Sequence, residues 1–124
     1  MRSSKEQKIS RGGEVLDSSA TGILLSQMEC PVSLEADFHK WYNDEHIPER
    51  MAVPGFLSAA RYEVVGKGPR FLARYNLKDL SVLDHPDYVK VKKHQSEETE
   101  KILSSVSVFT RYLATVCSVR RREG

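Results

Sequence analysis

Two stretches of alternating residues on either side of a glycine turn constrain this chain more than anything else in it. In FLSAARYEVV (residues 56–65) and RFLARYNL (70–77), apolar side chains recur at every second position, the pattern of a strand that buries one face. Gly66, Lys67, Gly68 and Pro69 lie between them, and that composition closes a hairpin. A turn centred on Lys67-Gly68 sets Phe56, Ser58, Ala60, Tyr62 and Val64 on the face shared by Phe71, Ala73, Tyr75 and Leu77. Arg61 and Arg74 then share the mixed face. An antiparallel sheet follows, and the rest of the sequence must supply its other strands and its cover.

TGILLSQM (21–28) carries aliphatic residues in both phases and suits a central strand. VSVFTRYLATVC (106–117) alternates again, with Val106, Val108, Thr110 and Tyr112 opposite Ser107, Phe109, Arg111 and Leu113. Between the first two strands Ser33 opens a helical pattern with Glu35 and Asp37 in its first turn, and Leu34, Phe38, Trp41, Tyr42 and Glu45 recur at spacings of three and four. Pro48 disfavours helical geometry at Ile47, so this helix is expected to end near His46, with a short extra turn before Pro54-Gly55. A second helix, capped by Asp84 or His85 with Pro86 in its first turn, is expected to run unbroken to about Leu103. With right-handed crossovers this order gives an α+β, ferredoxin-like βαββαβ sandwich, an antiparallel four-stranded sheet in order 4-1-3-2 with both helices on one face. Leu57, Leu72, Phe109 and Leu113 are assigned to the uncovered face, where pairing with a second copy would bury them, so a homodimer is expected.

A chain of 124 residues has the size of one domain. Residues 1–20 offer little beyond Ile9, Val15 and Leu16 to bury and read as a flexible polar arm; 21–118 form the domain, and 119–124 a basic tail around Arg120, Arg121 and Arg122. No apolar run approaches the ~20 residues of a membrane span, and the opening has no apolar core of a secretory signal, so an intracellular, cytoplasmic protein is expected. The arginine tail has no interleaved aromatics, and neither nucleic acid nor membrane is expected as a partner. Cys30 and Cys117 are too few for a disulfide framework and are expected as free, buried thiols.

Chemistry concentrates in WYNDEHIPER, residues 41–50. At a helix C-terminus the dipole favours an imidazolium, and Glu45 and Glu49 are close in sequence, so His46 is expected to titrate near or above neutrality. The same histidine could instead close the helix by bonding a carbonyl. Helical spacing alone explains Phe38 and Trp41 as core, whereas buried hydroxyls on Tyr62 and Tyr75 require partners that a ligand could supply. Arg61, Arg74 and Arg111 match in parity and could clamp a carboxylate, although the strand order separates Arg111 from the other two; pairing with acids such as Glu63 is the alternative. His39, His46 and Glu49 would converge poorly on a metal, and neither H-E-x-x-H nor paired C-x-x-C occurs, so no metal site is expected.

FHKWYNDEHIPERMAVPGFLSAARY, followed by RFLARYNL and LDHPDY, resembles the EthD-like branch of the dimeric α+β barrel superfamily, whose members share a helix ending in W-Y-x-x-E-H-I-P and a P-G-F strand entrance. The resemblance spans about residues 21–115. It implies one small hydrophobic pocket per protomer, between sheet and helices, with His46 at its polar end as general acid or base and Tyr42 one turn earlier. Trp41, Phe38, Tyr62, Tyr75, His85 and Arg61 are the substrate-binding candidates. Relatives often have serine where this chain has His85, which is then either a cap or a second titrating group. Haem, bound by some members of the superfamily, would need His85 or His94, and nothing else supports it; no cofactor is expected. The function implied is a cofactor-free lyase or isomerase acting by proton transfer on a small aromatic or polyketide-derived compound. A cofactor-free monooxygenase and a non-catalytic ligand-binding homodimer remain open.

Overall fold

The computed structural model describes residues 19–122; most of the polar arm and the last two residues of the tail lie outside the described residues. The elements are β1 (Gly22–Glu29), α1 (Glu35–Trp41), a π-helical turn (Tyr42–His46), α2 (Ile47–Met51), β2 (Phe56–Glu63), β3 (Phe71–Leu77), α3 (Pro86–Lys93), α4 (Glu97–Ser105) and β4 (Val108–Thr115). All four strands form one antiparallel sheet in the order β2-β3-β1-β4, the expected topology read from the other edge. Burial alternates strictly along β1, as a strand between two others and beneath one helical layer must show.

The helix-facing side of the sheet carries Leu24, Ser26 and Met28 of β1 and Phe71, Ala73, Tyr75 and Leu77 of β3, all buried. Phe38, Trp41 and Tyr42 pack on them, and Phe38 meets Phe71 at a ring separation of 5.3 Å. Arg70 ties three elements together where β3 begins. Its guanidinium donates to Glu29 Oε2 at 2.7 Å, Glu35 Oε2 at 2.6 Å and the Cys30 carbonyl at 3.1 Å, and its own backbone N–H donates to Glu29 Oε1. One side chain so joins the end of β1 to the start of α1.

The hairpin differs from the expected register. Its loop is closed by Val64 N–H donating to the Arg70 carbonyl at 2.7 Å, with Gly66 and Gly68 both at positive φ. Five residues span this closure instead of a turn centred on two, and the odd count shifts β2 by one position against β3. A bulge at the start of β2 compensates: Phe56 faces Leu77, but Ser58 faces Asn76. Phe56, Ala59 and Arg61 therefore lie on the helix side, and Tyr62 lies on the open side.

Two further corrections concern the cover. Phe109 and Leu113 pair with Met28 and Leu24 and so belong to the helix side, where they stay half-exposed because the helices do not reach across β4. The open face instead presents Ile23, Leu25 and Leu72 from inner strands, with Tyr62 (41% exposed) and Tyr112 (53%) at its edges. The second helix is two helices. Lys90, Lys92 and Lys93 end α3, Ser96 Oγ accepts the Thr99 N–H to cap α4, and Glu97, Glu98 and Glu100 fill its first turn. Each charge sits at the helix end whose dipole it complements, so the break costs little. Both cysteines are free, but only Cys30 is buried, since β4 has ended before Cys117 reaches any cover. Among the described residues no helix is long and apolar enough to cross a membrane.

Gly55, at φ 99°, passes so close to Val82 that a Cβ would run into its methyls. Gly55→Ala should lower stability by ~1–3 kcal/mol, read as a reduced urea midpoint at unchanged slope; an unaltered midpoint would show that this corner is not strained.

Candidate functional site

The helix that supplies the site does not stop at Pro48. Backbone angles stay helical through His46 and Ile47, and the Ile47 N–H donates to the Tyr42 carbonyl, five residues back. This wider turn absorbs the proline, which has no N–H to contribute. It also rephases the helix. Residues four apart drift by about 40° per step in a straight α-helix, yet here Phe38, Tyr42, His46 and Arg50 are all buried. Glu45, one position earlier, turns toward α4, where its Oε2 accepts the Ser96 and Thr99 hydroxyls, the second at 2.8 Å; Thr99 Oγ1 in turn accepts the Trp41 Nε1–H at 2.9 Å.

Between this helix, α3–α4 and the sheet lies a cavity of ≈ 90 Å³. Ser26 and Tyr75 reach it from the sheet and His46 and Arg50 from the helix, while Tyr88, Lys92 and Arg111 stand toward its edge. An open groove of ≈ 400 Å³ adjoins it, sharing Tyr88, Lys92 and Arg111 and adding Leu83, Val89 and Leu113 with the charged Asp84 and Lys93. The cavity surface is mostly apolar, as the sequence suggests, with Leu24, Met28, Leu103, Phe109 and the tyrosine rings on its walls, and the polar ends of Ser26, His46, Arg50, Lys92, Gln95 and Arg111 are set among them.

His46 is 7% exposed, and its ring packs 4.4 Å from Trp41 and 4.9 Å from Tyr42. Its Nδ1 is buried without a hydrogen-bond partner. Burial, reinforced by the positive charges of Arg50 and Arg61, holds the imidazole down to about 3, which overturns the expected titration near neutrality. The reason is local: α2 prolongs the helix past His46, so no C-terminal dipole acts there, Glu45 is engaged with α4, and the next group on the same face is a cation. Tyr75, 2% exposed, has the other unpartnered buried atom, its hydroxyl. Burial and the adjacent Tyr42 push the Tyr75 phenol up. Tyr42 is buried as well, its hydroxyl 2.9 Å from Ser26 Oγ, and burial raises its phenol too.

The remaining candidates divide. Phe38 is wholly buried core, and Trp41 walls His46 while bonding to Thr99. Arg61 lies over the Tyr42 ring at 4.4 Å and donates to Asn43 Oδ1 at 3.1 Å and His39 Nδ1 at 3.0 Å, holding the outer flank of the helix outside the cavity. Tyr62 is on the open face. His85 caps α3 by accepting the Asp87 N–H at 3.0 Å and borders a separate surface hollow, so it is not brought to His46. No arginine clamp forms: Arg74 belongs to the open face beside Asn76, and Arg111 donates to the Tyr88 hydroxyl at 3.0 Å. Sequence reasoning missed Arg50, Ser26, Tyr88 and Lys92. Ser26 was visible as a lone polar residue in the inward phase of β1, and Arg50 as the residue one turn beyond His46. Among the described residues no three His, Cys, Asp or Glu side chains are placed to hold a metal ion.

No protein-family model and no curated protein matches the chain. Solved structures do. A dimeric ferredoxin-like protein from an uncultured marine organism superposes with a TM-score of 0.63 at 17% identity, over 86% of this chain and 97% of that one. An ethyl tert-butyl ether D (EthD) family protein from Bacillus halodurans gives 0.55 at 15% identity, over 76% and 96%. A monooxygenase from the gene ActVA-Orf6 of Streptomyces coelicolor, in complex with the ligand nanaomycin D, gives 0.66 at 12% identity, over 86% and 96%. The chain thus shares the ferredoxin-like fold of these proteins.

The low value at His46 fixes a sign. The unfolded chain, with an ordinary imidazole near 6.5, binds a proton that the folded chain refuses until about pH 3. Stability from this residue is complete above about pH 6.5 and falls as the pH is lowered toward 3, by up to ~1.4 kcal/mol per unit. Urea unfolding at pH 7 and 5 should show a smaller loss in His46→Gln than in the wild type; equal losses would place the imidazole in contact with water.

Proposed function

We propose that this chain is an EthD-like homodimeric enzyme that carries out cofactor-free proton-transfer chemistry on a small aromatic or polyketide-like compound in the cavity beside His46. The observation that carries the reading is the pair of buried, unpartnered polar atoms, His46 Nδ1 and Tyr75 Oη, on two residues that line one cavity. A folded chain leaves such groups unsatisfied at a cost, and sites that bind and react are where that cost is recovered.

In this reading the imidazole, neutral at pH 7 and a weak base until a bound ligand offsets the charge of Arg50, accepts a proton from a carbon next to a carbonyl. The C–H electron pair passes to the carbonyl oxygen as an enolate, which the Tyr75 hydroxyl stabilises by donating a hydrogen bond. Return of the proton to another carbon completes an isomerisation, and loss of a β-hydroxyl completes a dehydration. Loss of carbon dioxide from a β-keto acid gives the same enolate directly. Tyr42 and Ser26 support Tyr75 from behind, and Trp41 fixes the imidazole plane. A second reading, cofactor-free monooxygenation, gains support from the likeness to the Streptomyces monooxygenase; there the carbanion would meet dioxygen instead of a proton. Dimerisation through the open face is supported by Ile23, Leu25, Leu72, Tyr62 and Tyr112 on one surface that no described helix covers, and by the dimeric protein sharing the fold.

His46→Ala should lower kcat on a turned-over substrate by ~10²–10⁴, with dioxygen uptake at an electrode separating the two readings; unchanged turnover removes His46 from the chemistry. Leu72→Glu should sediment as a monomer, and a dimer that survives the substitution would put the interface elsewhere.

A further inference from the structure

The charges around the cavity are of one sign. Arg50, Lys92 and Arg111 line it, no aspartate or glutamate does, and His46 is neutral at physiological pH. Arg50 is the most confined of the three, with a side chain only 8% exposed. Among the described residues that guanidinium pairs with Glu49, its chain neighbour, at 3.4 Å, long for a charge-assisted hydrogen bond. Arg111 donates to the neutral Tyr88 hydroxyl, and the Lys92 ammonium lies 5.8 Å from the Tyr88 ring centre. These contacts position the two cations but do not neutralise them. A confined guanidinium offset by one long contact to a half-exposed carboxylate retains much of its burial cost, and two further cations at the same opening add repulsion that an anion would relieve.

From this we infer that the cavity takes an organic carboxylate, its acid group drawn inward to Arg50 past Arg111 and Lys92, with the apolar body of the ligand left along the adjoining groove. Size agrees with that division. About 90 Å³ accommodates an acid group and a few neighbouring atoms, while the groove of ≈ 400 Å³, with Leu83, Val89 and Leu113 on its walls, has room for a ring system. The unpartnered Tyr75 hydroxyl supplies a neutral donor beside the cation. The inference deepens the proposed function by naming the charge of its substrate class, and it rests on that reading only in taking the cavity as the ligand site. A negative charge seated beside Arg50 would also offset one of the two cations that depress the imidazole, so that a bound acid would raise the basicity of His46 where a neutral analogue would not.

Binding tests this without turnover. Titration of the full chain with benzoate and with its neutral isostere benzamide, followed by isothermal calorimetry at low salt, should show benzoate binding at least tenfold more tightly. Arg50→Gln should reduce that preference by tenfold or more and Arg111→Gln by threefold or more, while Arg74→Gln, the same charge change on the open face, should leave it intact. If Arg50→Gln fails to fold by circular dichroism, the comparison of Arg111→Gln with Arg74→Gln decides. Equal affinity for the two probes, binding of neither, or a preference undiminished by substitution at the cavity arginines overturns the inference. A His46→Ala variant with unchanged turnover would instead defeat the acid–base reading and leave the preference for acids standing.

Discussion

The wide turn at Tyr42–His46 is the constraint on which the site depends. A proline at position 48 deprives a helix of one donor, and an uninterrupted α-helix would have carried residue 46 progressively away from the sheet. By bonding Ile47 back to Tyr42, the chain spends an extra residue in one turn and keeps four successive inward positions facing the core. Glu45 is thrown to the flank, where it receives the hydroxyls that begin α4. One irregularity thereby sets the orientation of the imidazole, the depth of Arg50 and the docking of the last helix.

The molecule offsets a polar interior with strength elsewhere. His46, Arg50 and Tyr75 are groups that an apolar core would replace with advantage. Around them stand a dense aromatic layer of Phe38, Trp41, Tyr42, Phe56, Phe71 and Tyr88 and, at the far end of the sheet, the Arg70 network linking β1, β3 and α1. The layer supplies dispersion and buried area; the network fixes register at the edge where β1 leaves the sheet. The layer packs on His46 and Tyr75 through ring contacts and gives neither the His46 Nδ1 nor the Tyr75 hydroxyl a hydrogen-bond partner, so both keep unfilled hydrogen-bonding capacity in a rigid frame.

How much of this was legible from the residues depends on whether a period or a count was being read. Period 2 in β2, β3 and β4, the apolar run of β1 and the crossover rule lead to the sheet order, and aromatic spacing leads to the helix that covers it. Counts were less transparent. Whether a glycine-rich loop closes around two residues or five reverses every side chain of the strand before it, and composition is the same in either case. Hence Arg61 and Tyr62 exchange faces, while the bulge after Phe56, with no signature of its own, keeps Phe56 on the helix side. Pro48 signals a stop because proline ends most α-helices; a π-turn is the less common solution. The split between α3 and α4 is readable in the shift from lysines to glutamates across residues 94–96, but no proline or glycine there marks it. Tyr42 follows from the helix stripe and Tyr75 from the parity of β3, whereas the inward placing of His46 rests on the family resemblance, since the stripe read from the sequence runs through Glu45 instead.

One consequence belongs to Trp41. It is the single tryptophan of the chain, buried, with its ring 4.4 Å from that of His46. Indole emission is sensitive to nearby charge, so the native protein carries an optical gauge already installed at the place where a proton would be gained or lost. Occupancy of the hollow, and the ionic state of the ring beside it, can be followed in real time without any dye.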